Sequence, residues 1–286
     1  MKFVSYNIQY GIGLDGKYDL DRIAASLAGA DVIALQEVTR GFSRNAYVDL
    51  ATDIAALFPE HFSVFGAPCD LHLDSRIEDG RLVERRFQFG NMVLSRWPIL
   101  STRTLLLPRS RTIDTLNLQR GAVEAVITTP LGPLRVYSIH LDHMSPAERL
   151  AQVRHLKERV QAFTFEAGSI SGGGTFGFGD TPLPEDYILL GDFNMQPGTP
   201  EYVEMTGPAD PYYGRSLRFG DPVDPLDHLG KLVPGCYSWM EPDDHERRMH
   251  LDYGFISSGL LPHLTDAFVD TAAEGSDHFP LWVELN

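Results

Sequence analysis

Apolar positions recur along this chain with two periods, two and about three and a half, which sorts it into strands and helices before any chemistry is considered. Residues 2–8 read as a buried strand, and residues 19–28 as a helix with Ile23 and Leu27 on one face. Residues 32–37 form a second, apolar strand. Tyr47, Leu50, Ile54 and Leu57 share a helical face, which predicts an amphipathic helix over residues 47–58, stopped by Pro59. Strands are expected near residues 63–66, 87–95, 122–128 and 134–141, with turns such as Pro130-Leu131-Gly132-Pro133 between them. The clearest helix start has Ser145 as cap, Pro146 in the first helical position and Glu148 completing a capping box. Leu150, Val153, Leu156, Val160 and Phe163 follow. A strand over residues 187–190 comes next.

The pattern repeats. A strand ending in Asn7, a helix and a strand ending in Gln36-Glu37 are echoed by a strand ending in His140, a helix and a strand ending in Gly191-Asp192. Two such halves predict one sheet stacked on another with helices outside. No low-complexity linker divides them, so residues 1–286 are expected to form a single domain. Residues 166–186 hold Gly168, Gly172, Gly173, Gly174, Gly177 and Gly179 around Phe176 and Phe178. The plain expectation there is a mobile surface insertion, and the sharper one is a lid over the substrate.

Composition narrows the function classes. A hydrophobic fraction of 43% and a charged fraction of 22% suit a folded protein with a real core. A net charge of -15 disfavours a protein whose affinity comes from coating a nucleic-acid backbone with Lys and Arg. Cys69 and Cys236 are the only cysteines and lack ligand spacing, so neither zinc nor a disulfide framework is indicated. The opening Met1-Lys2-Phe3-Val4 has no leader-like pattern, and no run is long enough to span a bilayer. Taken as the native start, this predicts a cytoplasmic protein without stable membrane insertion.

The polar residues that interrupt this pattern cluster at strand ends: Asn7, Gln36-Glu37, His140, Asp192 with Asn194, and Asp277-His278. Hard oxygen donors with a few imidazoles, gathered at one mouth, suit metal-assisted attack on a phosphate ester. Asp192 and Asn194 are two apart, as are His140 and Asp142, so each pair would share a strand face. Asp277 and His278 are adjacent, and the flanking Gly275-Ser276 and Pro280 suggest a turn that lets both reach the site. Asp252 is suited to holding a histidine ring in one tautomer.

In order and spacing, Asn7, Gln36-Glu37, His140, Gly191-Asp192-Phe193-Asn194, Asp252 and Ser276-Asp277-His278 resemble the endonuclease/exonuclease/phosphatase superfamily. Phe89-Gly90-Asn91-Met92, Gln119-Arg120-Gly121 and Tyr237-Ser238-Trp239 fit as secondary features. The resemblance implies an α+β fold of deoxyribonuclease I type, a four-layer αββα sandwich of two mixed sheets flanked by helices. It also implies a divalent metal, Mg²⁺ or Mn²⁺, with Glu37 as main ligand and Asn7 and Asp277 near the ion. His278 would be the general base or the imidazole that stabilises the phosphorane, with Asp252 as its partner. Asp192 and Asn194 would orient the water and the phosphate, and His140 would contact a phosphate oxygen. Many relatives carry Arg where His250 stands, a departure that leaves that arginine's duty open.

Other polar residues have plainer readings. Asn91 is expected to be a buried structural amide. His143, His245 and His250 are expected at the surface, where with Asp142 they could line a substrate pocket. Arg120 and His143 are taken as substrate-binding candidates. The remaining arginines between residues 76 and 120 are expected to pair with an acidic surface. No basic helix or stacking ladder reads clearly, so a small or lipid-headgroup phosphodiester is expected ahead of DNA or RNA. Leu189-Leu190-Gly191-Asp192 lacks the Trp of the 5-phosphatase branch. A calcineurin-type phosphoesterase would need an early Asp-x-His and a Gly-Asn-His-Glu run, both absent. A silent phosphate-binding module would have lost one of Glu37, Asp192, Asp252 or His278, and all are present.

Overall fold

The computed structural model describes all of residues 1–286. Strand β1 (Lys2–Asn7) leads through helix α1 (Leu20–Ser26) to β2 (Val32–Arg40), followed by α2 (Leu50–Leu57), β3 (Phe62–Glu78), β4 (Arg81–Ser95) and β5 (Ile99–Leu106). The second half runs β6 (Gly121–Thr129), β7 (Gly132–His140), α3 (Pro146–Glu166), β8 (Tyr187–Asp192) and α4 (Pro200–Thr206). A short pair, β9 (Ala209–Asp210) and β10 (Gly214–Arg215), precedes α5 (Pro225–His228), and a second pair, β11 (Trp239–Glu241) and β12 (Asp244–Met249), follows it. The chain closes with β13 (Asp252–Ile256), β14 (Leu264–Val269) and β15 (Leu281–Leu285). No helix is long and apolar enough to cross a membrane.

Two mixed sheets result, ordered β14-β15-β1-β2-β4-β3 and β13-β8-β7-β6-β5. Each contains one parallel pair joined by a helix, β1 with β2 through α1 and β7 with β8 through α3. That is the repeat visible in the sequence. Val4, Tyr6, Ile33 and Leu35 pack against Ile23 of α1, Leu27 just after it and Ile54 of α2. Tyr137, Ile139 and Leu189 pack against Val153 and Leu156 of α3 and Met205 of α4. Phe3, Val32, Ala34, Val136, Ile188, Leu190 and Ile256 meet between the sheets. The result is the expected four-layer αββα sandwich.

Strand alternation then carries chemistry to one edge. Phe3 faces the other sheet, and so must Ser5 and Asn7; Val136 sets the face of Ser138 and His140; Ile188 and Leu190 set that of Asp192; Ile256 sets that of Asp252. Within the parallel pairs Asn7 lies opposite Gln36 and His140 opposite Asp192, and Asp252 is the antiparallel partner of Asp192. Just beneath this edge the sheets are bolted together by polar groups. The Gln36 amide donates to Ser138 Oγ at 3.1 Å, Ser138 Oγ donates to the Leu35 carbonyl at 2.8 Å, and Asn91 Nδ2 donates to the Gly121 carbonyl at 2.8 Å. Asn91 is thus the structural amide expected of it.

Several elements differ from expectation. The strands near residues 63–66 and 87–95 are the inner halves of a long β3–β4 hairpin. Its outer half projects beyond the sandwich with both faces solvated, so no apolar alternation marks it. The turn is Asp79-Gly80, both at positive φ (48° and 73°), a two-residue hairpin signature that hydrophobic periodicity passes over. Helix α2 begins three residues late, because Asp49 caps it by accepting from Thr52 N at 3.1 Å while Tyr47 is left-handed. At α3 only half of the capping box forms. Ser145 accepts from Glu148 N, but the Glu148 carboxylate holds Ser110, and the Ser145 amide donates to Asp142 instead. Residues 166–186 include a 3-10 turn at Gly173–Phe176 and enter β8 at the end opposite Asp192, with Glu185 O accepting from Arg135 at the start of β7.

Candidate active site

The edge where the two sheets open collects Asn7, Glu37, Arg120, His140, Asp192, Asp252, Asp277 and His278. All but Glu37, whose side chain keeps 16% of its surface, are buried. Asn7 Nδ2 crosses between the sheets to donate to Asp192 Oδ2 at 3.0 Å and lies 3.3 Å from His278 Nε2. Asn194 is past the end of β8. It reaches the site because its left-handed backbone (φ 51°) folds it over, its amide N donating to Asp192 Oδ1 at 2.9 Å and its Nδ2 to the Leu141 carbonyl at 3.1 Å. The expected Asp192/Asn194 pairing holds, though by a turn rather than by strand alternation. The matching His140/Asp142 pairing fails. Strand β7 ends at His140, and Asp142 Oδ2 accepts from the Met144 and Ser145 amides at 2.9 and 2.6 Å, closing the turn into α3.

His278 sits on a segment that bridges β11: Met240 N donates to Asp277 O and Phe279 N to Ser238 O. This bridge, together with the turn, brings both Asp277 and His278 into the site. His278 Nδ1 lies 2.9 Å from Asp252 Oδ2, and Ser238 Oγ donates to the same oxygen at 2.7 Å while accepting from the Leu251 and Asp252 amides. Burial alone would push the imidazole down, but Asp252, with Asp192 and Asp277 beyond it, outweighs burial and raises His278 to about 10. The ring is therefore a cation at neutral pH.

Glu37 arrives by an irregularity. Strict alternation along β2 would turn it toward α1 with Ile33 and Leu35. A bulge between Leu35 and Val38, with Glu37 at φ 61°, swings it into the opening instead. Its Oε2 is buried with no hydrogen-bond partner, and Oε1 lies 4.0 Å from His140 Nε2. Burial, then the nearby Asp277 charge, raises Glu37 to about 7. An unpartnered carboxylate oxygen beside the Asn7 amide and Asp277 is an oxygen donor set that fits a hard divalent cation. Asp277 is oriented by Trp239 Nε1, which donates to its Oδ2 at 3.1 Å. Asp192, Asp252 and His278 also bring ligand-type atoms within 4.8 Å of one another. Because Asp252 Oδ2 is already committed to His278 and Ser238, that trio is a hydrogen-bonded acid–imidazole array, and Glu37 is the better anchor for an ion.

Arg120 is buried, and its neighbours are imidazoles rather than a carboxylate. Nη1 lies 2.9 and 2.7 Å from the two ring nitrogens of His140, Nη2 lies 2.9 Å from His143 Nδ1, and Nε has no partner. Burial and then the Arg120 charge hold His140 well below the usual histidine range, so it is neutral. A guanidinium only donates, so one ring nitrogen accepts from it. With Nδ1 accepting, Nε2–H points to Asp192 Oδ2, 3.4 Å away. An uncompensated buried guanidinium is a ready anion receptor.

The structure gathers at one opening the residues expected there and corrects two neighbours, Asp142, which closes the turn into α3, and His250. His250, expected at the surface, is buried: its ring packs edge-on against Tyr253, Nε2 has no partner, and burial pushes it down to about 4. The apolar groups that enclose it come from distant segments, so nothing local marks it as interior. His143 and His245 are exposed as expected. Two further residues lie at the site: Tyr10, which the sequence did not single out, and Ser238, named there only as part of Tyr237-Ser238-Trp239. Tyr10, in a turn of left-handed residues after β1, has its hydroxyl held above its usual range chiefly by the Glu37 charge. Ser238 orients Asp252, and its only local signal is its place between Tyr237 and Trp239. The arginines at 76, 85, 86, 96 and 103 pair with carboxylates, as expected, whereas Arg109 donates to the Asn117 carbonyl and Arg81 and Arg111 pair with no carboxylate.

The profile of the Endonuclease/Exonuclease/phosphatase family matches residues 4–278. No curated protein matches the sequence at a significant level. An endonuclease/exonuclease/phosphatase from Beutenbergia cavernae superposes with a TM-score of 0.66 at 19% identity, covering 100% of this chain and 72% of its own. A mannosyl-6-phosphatase from Bacteroides thetaiotaomicron gives 0.62 at 17% identity, covering 100% and 99%. The human Nocturnin catalytic domain, solved with a bound sulfate, gives 0.62 at 18% identity, covering 100% and 94%. At these identities the likeness concerns the fold.

Proposed function

The chain belongs to the Endonuclease/Exonuclease/phosphatase family, whose enzymes hydrolyse phosphoester bonds, and from that premise we propose a divalent-metal-dependent phosphodiesterase acting on a small or headgroup-type diester. The observation that carries the reading is a pair of groups facing one opening without direct partners of opposite charge: Glu37 Oε2, which has no hydrogen-bond partner, and the Arg120 guanidinium, which has no carboxylate hydrogen-bonded to it. A cation on the first and a phosphate oxygen on the second complete both.

Glu37, Asn7 and Asp277 would hold Mg²⁺ or Mn²⁺. Such an ion neutralises phosphate charge and stabilises the leaving oxygen. Arg120 draws a non-bridging oxygen to the opening, while His140, whose N–H is turned to Asp192, and His143 brace the guanidinium. Asp192 is fixed by Asn7 and Asn194, so its carboxylate lies ready to orient the attacking water and take its proton. His278 stays protonated, because Asp252 holds it up to about 10, and it donates to the phosphorane oxygen. A protonated ring suits the stabilising role rather than the basic one.

The test is turnover of a chromogenic phosphodiester, the corresponding monoester and plasmid DNA, each with Mg²⁺ and with Mn²⁺. The expected result is diester turnover that disappears in Asp192→Ala. A monoester preference would overturn the diester assignment, and DNA nicking would move the protein to the nuclease branch. A folded protein silent on all three would be a phosphate-binding module.

A further inference from the structure

Beside the active site, the loop after β2 and the outer half of the β3–β4 hairpin enclose a groove of about 430 Å³ lined by Gly41, Phe42, Tyr47, Asp74, Arg85 and Phe87 among others. Two of its walls belong to a run of aromatic rings that begins at the catalytic residues. Phe89 lies 5.8 Å from His140, ring centre to ring centre, and Phe87 lies 6.5 Å from Phe89. On the other side Tyr10 meets Phe42 edge-on at 4.9 Å, and Phe42 meets Phe87 at 5.2 Å. The groove is therefore joined to the opening by both runs of rings.

The groove is built with some conformational cost. Ala46 and Tyr47 are consecutive left-handed residues (φ 58° and 63°) that hold the Tyr47 ring out from the surface, 51% exposed. Arg85 lies over that ring, 4.7 Å from its centre, and pairs with Asp74 at 3.3 Å. Asn45, buried beneath, donates to the Tyr10 carbonyl and to Thr39 Oγ1, tying this loop to the catalytic edge. Gly41 touches the hairpin so closely that a Cβ there would collide with the Arg86 carbonyl oxygen. Strained residues holding an aromatic ring in solvent gain nothing for the core.

We propose that this groove is a subsite for a planar heteroaromatic ring on the substrate, a nucleobase by chemical class, carried on the ester group next to the scissile phosphate. The inference rests on the phosphodiesterase reading and narrows its substrate. Phe42, Phe87 and the Tyr47–Arg85 stack supply flat faces, while Asp74 and Arg85 offer an acceptor and donors at the rim. A ring with a hydrogen-bonding edge satisfies both. An alkyl chain would cover the charged pair without pairing it, and a polyol would leave the aromatic faces unused.

The experiment compares p-nitrophenyl phosphodiesters whose second ester group is thymidine 5′-yl, glyceryl or methyl. Stacking of one base predicts kcat/KM for the thymidine ester at least about tenfold above that for the methyl ester. That ratio should fall toward one in Tyr47→Ala and in Phe87→Leu. The ratio is read within each variant, so a general loss of activity or stability does not imitate the effect. A ratio within about threefold in the parent protein overturns the subsite, as does a ratio that neither variant moves. A glyceryl preference overturns it in favour of a polyol. Failure to turn over any of the three esters is a failure of the phosphodiesterase reading itself.

Discussion

Asp252 and Ser238 illustrate how a single hydrogen-bonded oxygen sets the chemistry of the site. Asp252 Oδ2 takes both the His278 ring and the Ser238 hydroxyl, and that charge keeps the imidazole protonated against the cost of burial. Asp252→Asn preserves the shape but removes the charge. Turnover should fall by about 10²- to 10⁴-fold. The alkaline limb of the kcat profile should also move down from about 10 toward the ordinary histidine range, because the folded state no longer favours the cation. An unchanged limb in a folded variant would show that His278 does not act as the cation. At this scale the residue types were readable in the sequence, since isolated polar residues ending apolar strands stand out. Their contacts were not: that Arg120 meets two imidazoles, and that His250 is interior, depends on segments far apart in the chain.

At the scale of elements, the parallel pairs are what convert sequence motifs into a site. Gly191 lies within β8 against β7, and a Cβ there would collide with the Ile139 carbonyl oxygen. Gly191→Ala should force the strands apart just where His140 and Asp192 are paired. The expected cost is about 1–3 kcal/mol in denaturant unfolding, with a drop in kcat beyond it. Wild-type stability and turnover in this variant would mean that the register does not position the pair. The helices and inner strands were legible because one face of each is buried. The outer half of the β3–β4 hairpin was not, since both of its faces meet water and its turn is marked only by Asp79-Gly80. The β2 bulge was equally hidden, because an extra residue changes a strand's register without changing its composition.

For the molecule as a whole, the site is an electrostatic compromise that an ion resolves. Glu37 is raised to about 7, so without metal its neutral form favours folding. The stability from that form is full below the unfolded carboxylate range and is lost as pH rises through 7. Metal-free protein should therefore be less stable than its Glu37→Gln variant above pH 7, by about 2 kcal/mol. Mg²⁺ or Mn²⁺ should reverse that order, raising the wild-type midpoint but not the variant's, and more at pH 8 than at pH 6, because the ion must displace the proton. Thermal unfolding of both proteins with and without the ion, at both pH values, checks this. A shift of equal size in the variant would remove Glu37 from the ion site.

The sequence by itself determined the family, the two-layer repeat of strand, helix and strand, and the identities of the residues at the opening. Each of these follows from local information: the period of apolar positions, the capping residues, and polar side chains at strand ends. Only the tertiary structure decided which way Glu37 points, which groups neutralise or fail to neutralise Arg120, why Asp142 serves a turn, and that aromatic residues from two separate loops form a groove beside the opening. Those outcomes depend on how one sheet sits on the other and how the hairpin closes on the loop after β2, and such non-local packing leaves no periodic trace in the chain.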